Sequence, residues 1–237
     1  MQRARFVRLL RDSVLVLFDI DGTLLRSYGA GVSGFVAAGR AHFGSRFSLD
    51  GIQLAGRLDS LILADAIARF GGDVEAVEHG AFVKLYSSHL ELAITAEGAS
   101  CNPMPGAMDL VQRVAAHPEM TCGVLTGNWQ ETGVIKLTAA GFDLNLFEMT
   151  IWASDGVDRP GLVAEALRRW SGTPAQVTVI GDTIHDVQCG RVHGCRTIAV
   201  ATGGNARAEL DATEADLVLD DLSDTDSLMR HLSSWST

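Results

Sequence analysis

Residues Val14–Phe18 form an unbroken apolar run, Val-Leu-Val-Leu-Phe, that stops abruptly at Asp19. A strand with one face in water alternates apolar and polar residues, so a run with no polar position reads as a strand buried on both faces. Four later runs share that character, at 121–125, 147–152, 177–180 and 197–200, and 217–219 adds a short edge strand. Helical patterns lie between them at Ala107–Ala116, 130–140, 162–170, 184–193 and 205–210. From residue 121 onward strand and helix alternate. That order predicts an α/β fold, a Rossmann-like parallel sheet with helices on both faces.

The interval from 28 to 102 breaks the rhythm. It holds no convincing buried strand, but helical periodicity recurs at 32–43, 60–70 and 74–96. Gly71-Gly72 reads as a helix stop and Asp73 as the N-cap of the next helix. Pro103-Met104-Pro105-Gly106 then punctuates the return to the sheet. The expected organisation is a catalytic core made of 1–27 and 103–237, with an all-helical cap domain inserted at 28–102. A chain of 237 residues is long enough to bury a core under this arrangement.

Composition narrows the partners. A formal net charge of -10 argues against nucleic acid, whose phosphates need clustered Lys and Arg. It does not argue against a small anionic substrate, which meets only the local field of its pocket. Cys101, Cys122, Cys189 and Cys195 form no C-x-x-C pair, so they read as free thiols in a reducing cytosol rather than as a zinc site. No apolar run is long enough to span a membrane, and the arginines of 3–11 read as a solvated amphipathic extension. These features place the chain in the cytoplasm with no membrane partner, and they leave its oligomeric state open.

Four short segments carry chemistry, each at the C-terminal end of an expected strand, the edge where open α/β sheets bind ligands. The first is Asp19-Ile20-Asp21-Gly22-Thr23. Two carboxylates held close repel, and removing both from water calls for a compensating cation. The second, Gly181-Asp182-Thr183-Ile184-His185-Asp186, places Asp186 one helical turn after Asp182. Four acidic groups, Asp19, Asp21, Asp182 and Asp186, are thereby aimed at one place, which suits a hard divalent cation such as Mg²⁺. A helix N-cap at Thr183 with Asp186 in the first turn explains part of the same segment. The third segment, Leu125-Thr126-Gly127-Asn128, offers a hydroxyl and backbone N–H groups for a phosphoryl oxygen. The fourth brings Arg159, just before the helix-opening Pro160, to the same edge as a fixed cation.

The order Asp-x-Asp, Thr, basic residue plus Pro, Gly-Asp-x-x-x-Asp resembles the haloacid dehalogenase-like hydrolase superfamily over about 14–34 and 103–219. Gly181-Asp182-Thr183, Ala199-Val200-Ala201-Thr202-Gly203 and Leu125-Thr126-Gly127-Asn128 look like its phosphoglycolate-phosphatase-like branch, and the helical insert is similar to that branch's cap. The resemblance implies a Mg²⁺-dependent phosphatase acting on a small phosphorylated metabolite through an aspartyl-phosphate. Asp19 would be the nucleophile and Asp21 the general acid and base. Thr126, Gly127 and Arg159 would hold the phosphoryl group. Asp19, the backbone carbonyl of Asp21, Asp182 and Asp186 would serve the metal.

The chain departs from that pattern where Arg159 stands in place of the family's usual Lys; the sequence holds 17 arginines and 2 lysines. Arg57, in Ala55-Gly56-Arg57-Leu58-Asp59, is a candidate substrate contact from the insert. Lys84 sits deep in an expected helix, which speaks against a Schiff-base role. His185 reads as a surface or supporting residue, Trp129 as pocket wall or core, and the acidic stretch 216–226 as a solvated face. A phosphosugar mutase would use the same residues. A phosphoacceptor signalling domain would share the acids and the cation but would lack the helical insert.

Overall fold

The computed structural model of the protein describes residues 13–69, 79–96 and 101–235. The elements run β1 (Val14–Phe18), β2 (Leu25–Arg26), α1 (Ala30–Phe43), α2 (Asp59–Arg69), α3 (His79–Thr95), β3 (Asn102–Pro103), α4 (Ala107–Ala116) and β4 (Met120–Leu125). They continue with α5 (Gln130–Ala139), β5 (Met149–Ile151), α6 (Arg159–Arg169), β6 (Val177–Gly181), α7 (Ile184–Val192), β7 (Arg196–Val200), α8 (Arg207–Asp211), β8 (Leu217–Leu219) and α9 (Thr225–Ser234).

Six strands make one parallel sheet in the order β5-β4-β1-β6-β7-β8. The first strand is thus central, paired with β4 on one side and β6 on the other. Its period of two divides it between two cores. Leu15 and Leu17 pack on one face with residues of α6, whereas Val14, Val16 and Phe18 pack on the other with residues of α4 and α9. Both faces are dry, which is why the run contains no polar residue. Strand order reverses direction at β1, so the crevice beyond its C-terminal end lies at a topological switch point.

The ribbon β2–β3, helix α9 and the start of α6 depart from the sequence pattern. Strands β2 and β3 form a short antiparallel ribbon, pairing Leu25 with Pro103 and Arg26 with Asn102, and it brackets the helical segment. Helix α6 begins at Arg159, ahead of the 162 expected, because the Asp158 carboxylate accepts from Gly161 N–H at 2.7 Å and caps the helix. Pro160 in the first turn has no N–H to leave unpaired. The Gly71-Gly72 stop, the Asp73 cap, the start of the 74–96 helix and the 3–11 extension fall outside the described residues.

Helices α1, α2 and α3 lie over the C-terminal edge of the sheet. Phe35, Phe82 and Tyr86 from the insert surround Trp129, with ring centroids 6.1, 5.9 and 6.2 Å away. Trp129 is therefore part of the packing that joins insert to sheet. Contact is also made backbone to backbone. Asp59 N–H donates to the Gly127 carbonyl at 2.7 Å, and a Cβ on Gly127 would lie 2.2 Å from the Arg57 carbonyl oxygen. Only a glycine permits that approach. The acidic stretch 216–226 is in part ion-paired rather than simply solvated, since Asp216 meets Arg196 at 2.9 Å, Asp220 meets Arg207 at 2.7 Å and Asp226 meets Arg113 at 2.5 Å. Among the described residues no helix is long and apolar enough to cross a membrane, and all four cysteines are buried free thiols.

Candidate active site

Asp19 is the first residue after β1, and its N–H continues the ladder by donating to the Ile180 carbonyl at 2.9 Å. Asp182 follows β6, and Asp186 lies in the first turn of α7. Carboxylate oxygens of Asp19, Asp182 and Asp186 lie within 4.8 Å of one another, and all three residues are buried. Asp182 accepts from the Thr23 hydroxyl at 3.2 Å and from Gly204 N–H at 2.6 Å. Gly22, at φ 82°, lets the chain turn past it where a Cβ would stand 2.6 Å from Asp182 Oδ2. Asp186 also closes a capping box, because its Oδ2 accepts from Thr183 N–H at 3.0 Å and from the Thr183 hydroxyl at 2.6 Å. Asp186 thus caps α7 and stands in the acidic cluster at once.

Arg159 is buried among these acids. Its Nη2 lies 3.0 Å from Asp19 Oδ2 and also bonds Asp186 Oδ1, while its buried Nε has no partner. Burial acts to lower its pKa, but Asp186 and Asp19 outweigh that and raise it, so the guanidinium stays charged. One guanidinium does not neutralise three carboxylates. With all three ionised, two negative charges are left over, an excess that the interior does not tolerate without further compensation. Accordingly Asp182 is pushed up to about 8, by burial first and by Asp186 and Asp19 next. Asp19 is pushed up to about 6 by burial, with Arg159 opposing the rise. An all-oxygen donor set with excess negative charge fits a hard divalent cation such as Mg²⁺.

The fourth acid lies apart from the other three. The Asp21 side chain keeps 42% exposure, and its Oδ2 accepts from Lys136 Nζ at 2.6 Å and from Asn128 Nδ2 at 2.9 Å. The repulsion expected between Asp19 and Asp21 is thus relieved for Asp21 by a lysine that the motif reading had passed over. Lys136 sits on the buried face of α5 with Thr132, Gly133 and Leu137. One of two lysines in an arginine-rich chain, at an apolar helical position, is the signal that could have found it. Lys84, the other, is exposed on α3.

Thr126 is buried at the end of β4, and its Oγ1 accepts from Asn128 Nδ2 at 2.8 Å, which leaves its O–H free to donate. Gly127 is adjacent, with its carbonyl taken by Asp59. Arg57 faces the same space but pairs with Asp65 at 2.5 Å. His185 contacts Gln53 of the insert at 3.1 Å, which fits a supporting role at the seam. Asp59 is buried, accepts from Trp129 N–H at 3.2 Å and is pushed up to about 7, chiefly by burial against an opposing effect of Lys136. A cavity of about 380 Å³ joins Asp19, Asp21, Thr126, Lys136, Arg159 and Asp182 under the insert.

A family model described as HAD-hydrolase-like matches residues 156–225, the stretch holding Arg159, Asp182 and Asp186. Pyrophosphatase PpaX of Bacillus mycoides is 23% identical over 220 residues, covering 88% of this chain and 93% of that protein. Among solved structures, CbbY from Rhodobacter sphaeroides in complex with phosphate superposes with a TM-score of 0.72 at 21% identity, over 90% of this chain and 96% of that one. A hydrolase from Pseudomonas syringae gives 0.67 at 22% identity, over 94% and 99%. At these identities the superpositions speak for the fold, and the ordered acidic, Thr and Arg-Pro segments lie on it where the sheet edge gathers them. The chain has the fold of these hydrolases, and over residues 156–225 it is similar to the HAD-hydrolase-like family.

Proposed function

We propose that this protein is a Mg²⁺-dependent phosphatase that cleaves a small phosphorylated metabolite through an aspartyl-phosphate on Asp19. The observation that carries the reading is the convergence of Asp19, Asp182 and Asp186 on Arg159 at the floor of a cavity that the inserted helices roof. The phosphate and pyrophosphate named for the relatives agree with it; they leave monoester and anhydride substrates to be distinguished by assay. The helical segment 28–102 acts as a cap over a core of 1–27 and 103–237.

Asp19 attacks phosphorus in line, and the bond to the leaving oxygen breaks as the new Asp19–phosphorus bond forms. Asp21 gives its proton to the departing oxygen. It then takes a proton from the water that attacks the same phosphorus, and Asp19 leaves as a carboxylate. Thr126 O–H, the Gly127 N–H and Arg159 hold the phosphoryl oxygens, so that charge developing on them meets fixed donors. A bound Mg²⁺, held by Asp19, the Asp21 carbonyl and Asp182 with Asp186 alongside, would neutralise charge on the transferring group.

The test is release of inorganic phosphate from p-nitrophenyl phosphate by purified protein. Many turnovers with Mg²⁺ and none after EDTA support the reading. A single stoichiometric phosphorylation, or turnover indifferent to chelation, contradicts it.

A further inference from the structure

We infer that Lys136 is a positioning residue that holds Asp21 for proton transfer, and that it suits the site to phosphate esters whose alcohol cannot leave unprotonated. This rests on the phosphatase reading above. Lys136 is 4% exposed, and burying an ammonium costs several kcal/mol unless it is paired. Its partners are Asp21 Oδ2 and Asn128 Oδ1, each at 2.6 Å.

The Asn128 amide cannot be reversed here, because a lysine only donates and a carboxylate only accepts. Its Oδ1 must face Lys136, and its Nδ2 faces Asp21 and Thr126, at 2.9 and 2.8 Å. Two donors from separate elements, α5 and the loop after β4, thus fix one oxygen of Asp21. The rest of that carboxyl is left toward the cavity, which Asp21 and Lys136 both line. A pair made only for packing would bury both members, whereas here one is buried and the other is 42% exposed. The charge of Lys136 is spent on aiming an exposed acid.

The consequence lies in the leaving group. In the first step the proton on Asp21 passes to the leaving oxygen as the phosphorus–oxygen bond breaks. An alkyl alcohol needs that proton, whereas p-nitrophenolate departs without it. The experiment compares kcat/KM for glycerol 2-phosphate and p-nitrophenyl phosphate in the wild type, Lys136→Met and Lys136→Gln, with folding checked by circular dichroism. This constant reports the steps through the first bond cleavage, before the hydrolysis shared by both substrates.

In either folded variant we expect the alkyl ester to lose about 10²-fold and the aryl ester less than about 3-fold. Equal losses on both esters, no loss on either, or failure of both variants to fold would overturn the inference and assign Lys136 to structure alone. Absence of Mg²⁺-dependent hydrolysis in the wild type would instead overturn the phosphatase reading beneath it.

Discussion

On the side of the cavity proposed for the phosphate, Asp19, Asp182 and Asp186 are buried and crowded within 4.8 Å, and one guanidinium pairs with Asp19 and Asp186. On the side proposed for the leaving group, Asp21 is half exposed and paired with a single ammonium, and Asn128 bonds both members of the pair. The first arrangement has too few positive charges and so invites a dication. The second is closer to balance and needs none. Two carboxylates separated by one residue in sequence therefore sit in different electrostatic settings, as the proposed nucleophile and proton carrier require.

The largest expected effect comes from the nucleophile. Asp19→Asn lowers phosphate release by at least about 10⁴-fold on alkyl and aryl esters alike, because bond formation to phosphorus is lost whatever the leaving group. Retained turnover on either ester breaks the division into two sides. Arg159→Ala comes next, with a loss of about 10²–10³-fold in kcat, again equal for both esters. Without added metal it also lowers unfolding free energy in urea by about 3 kcal/mol, since Asp19 and Asp186 stay buried and unpaired. A rate within threefold of wild type would mean that another cation serves the phosphoryl group.

The acidic cluster could be read from the chain because Asp19 and Asp182 directly follow strands, with Asp186 one helical turn on, and strand ends in a parallel sheet share one edge. The apolar run before Asp19 and the one before Asp182 announced both position and burial. The leaving-group side was less visible. Lys136 lies in mid-helix, where the periodicity of 130–140 marks a buried face but says nothing about which neighbour a charge on that face will meet. Its partner Asp21 is 115 residues away in sequence. The ribbon β2–β3 was missed for a different reason: two-residue strands are too short to show alternation. Arg57, expected to contact substrate, faces the cavity, yet its charge is engaged by Asp65 within the insert.

Asp59 sharpens the comparison through pH. Its folded pKa of about 7 lies above its ordinary 3.8, so between those values the folded state binds more protons than the unfolded state. Stability with respect to this group is full below the lower value and declines as pH rises through the upper one. Asp59→Asn keeps an acceptor for Trp129 N–H and removes the buried charge. It should gain about 1–2 kcal/mol over wild type at pH 8, and the gain should vanish near pH 4, as read by urea denaturation at both pH values. A constant difference across that range would place the Asp59 charge in solvent. The smallest effect belongs to Arg57→Ala, where loss of a partly exposed ion pair changes stability by less than about 1 kcal/mol. A loss of kcat/KM above tenfold would show that Arg57 leaves Asp65 to grip the substrate.

The most direct test of the central claim is to find the phosphoryl group on the protein. In rapid acid quench of a single turnover with Mg²⁺, followed by peptide mass spectrometry, phosphate should appear on Asp19, rise before free phosphate and then decay. Phosphate released with no such species at any time, or a phosphoryl group on another residue, would contradict the account.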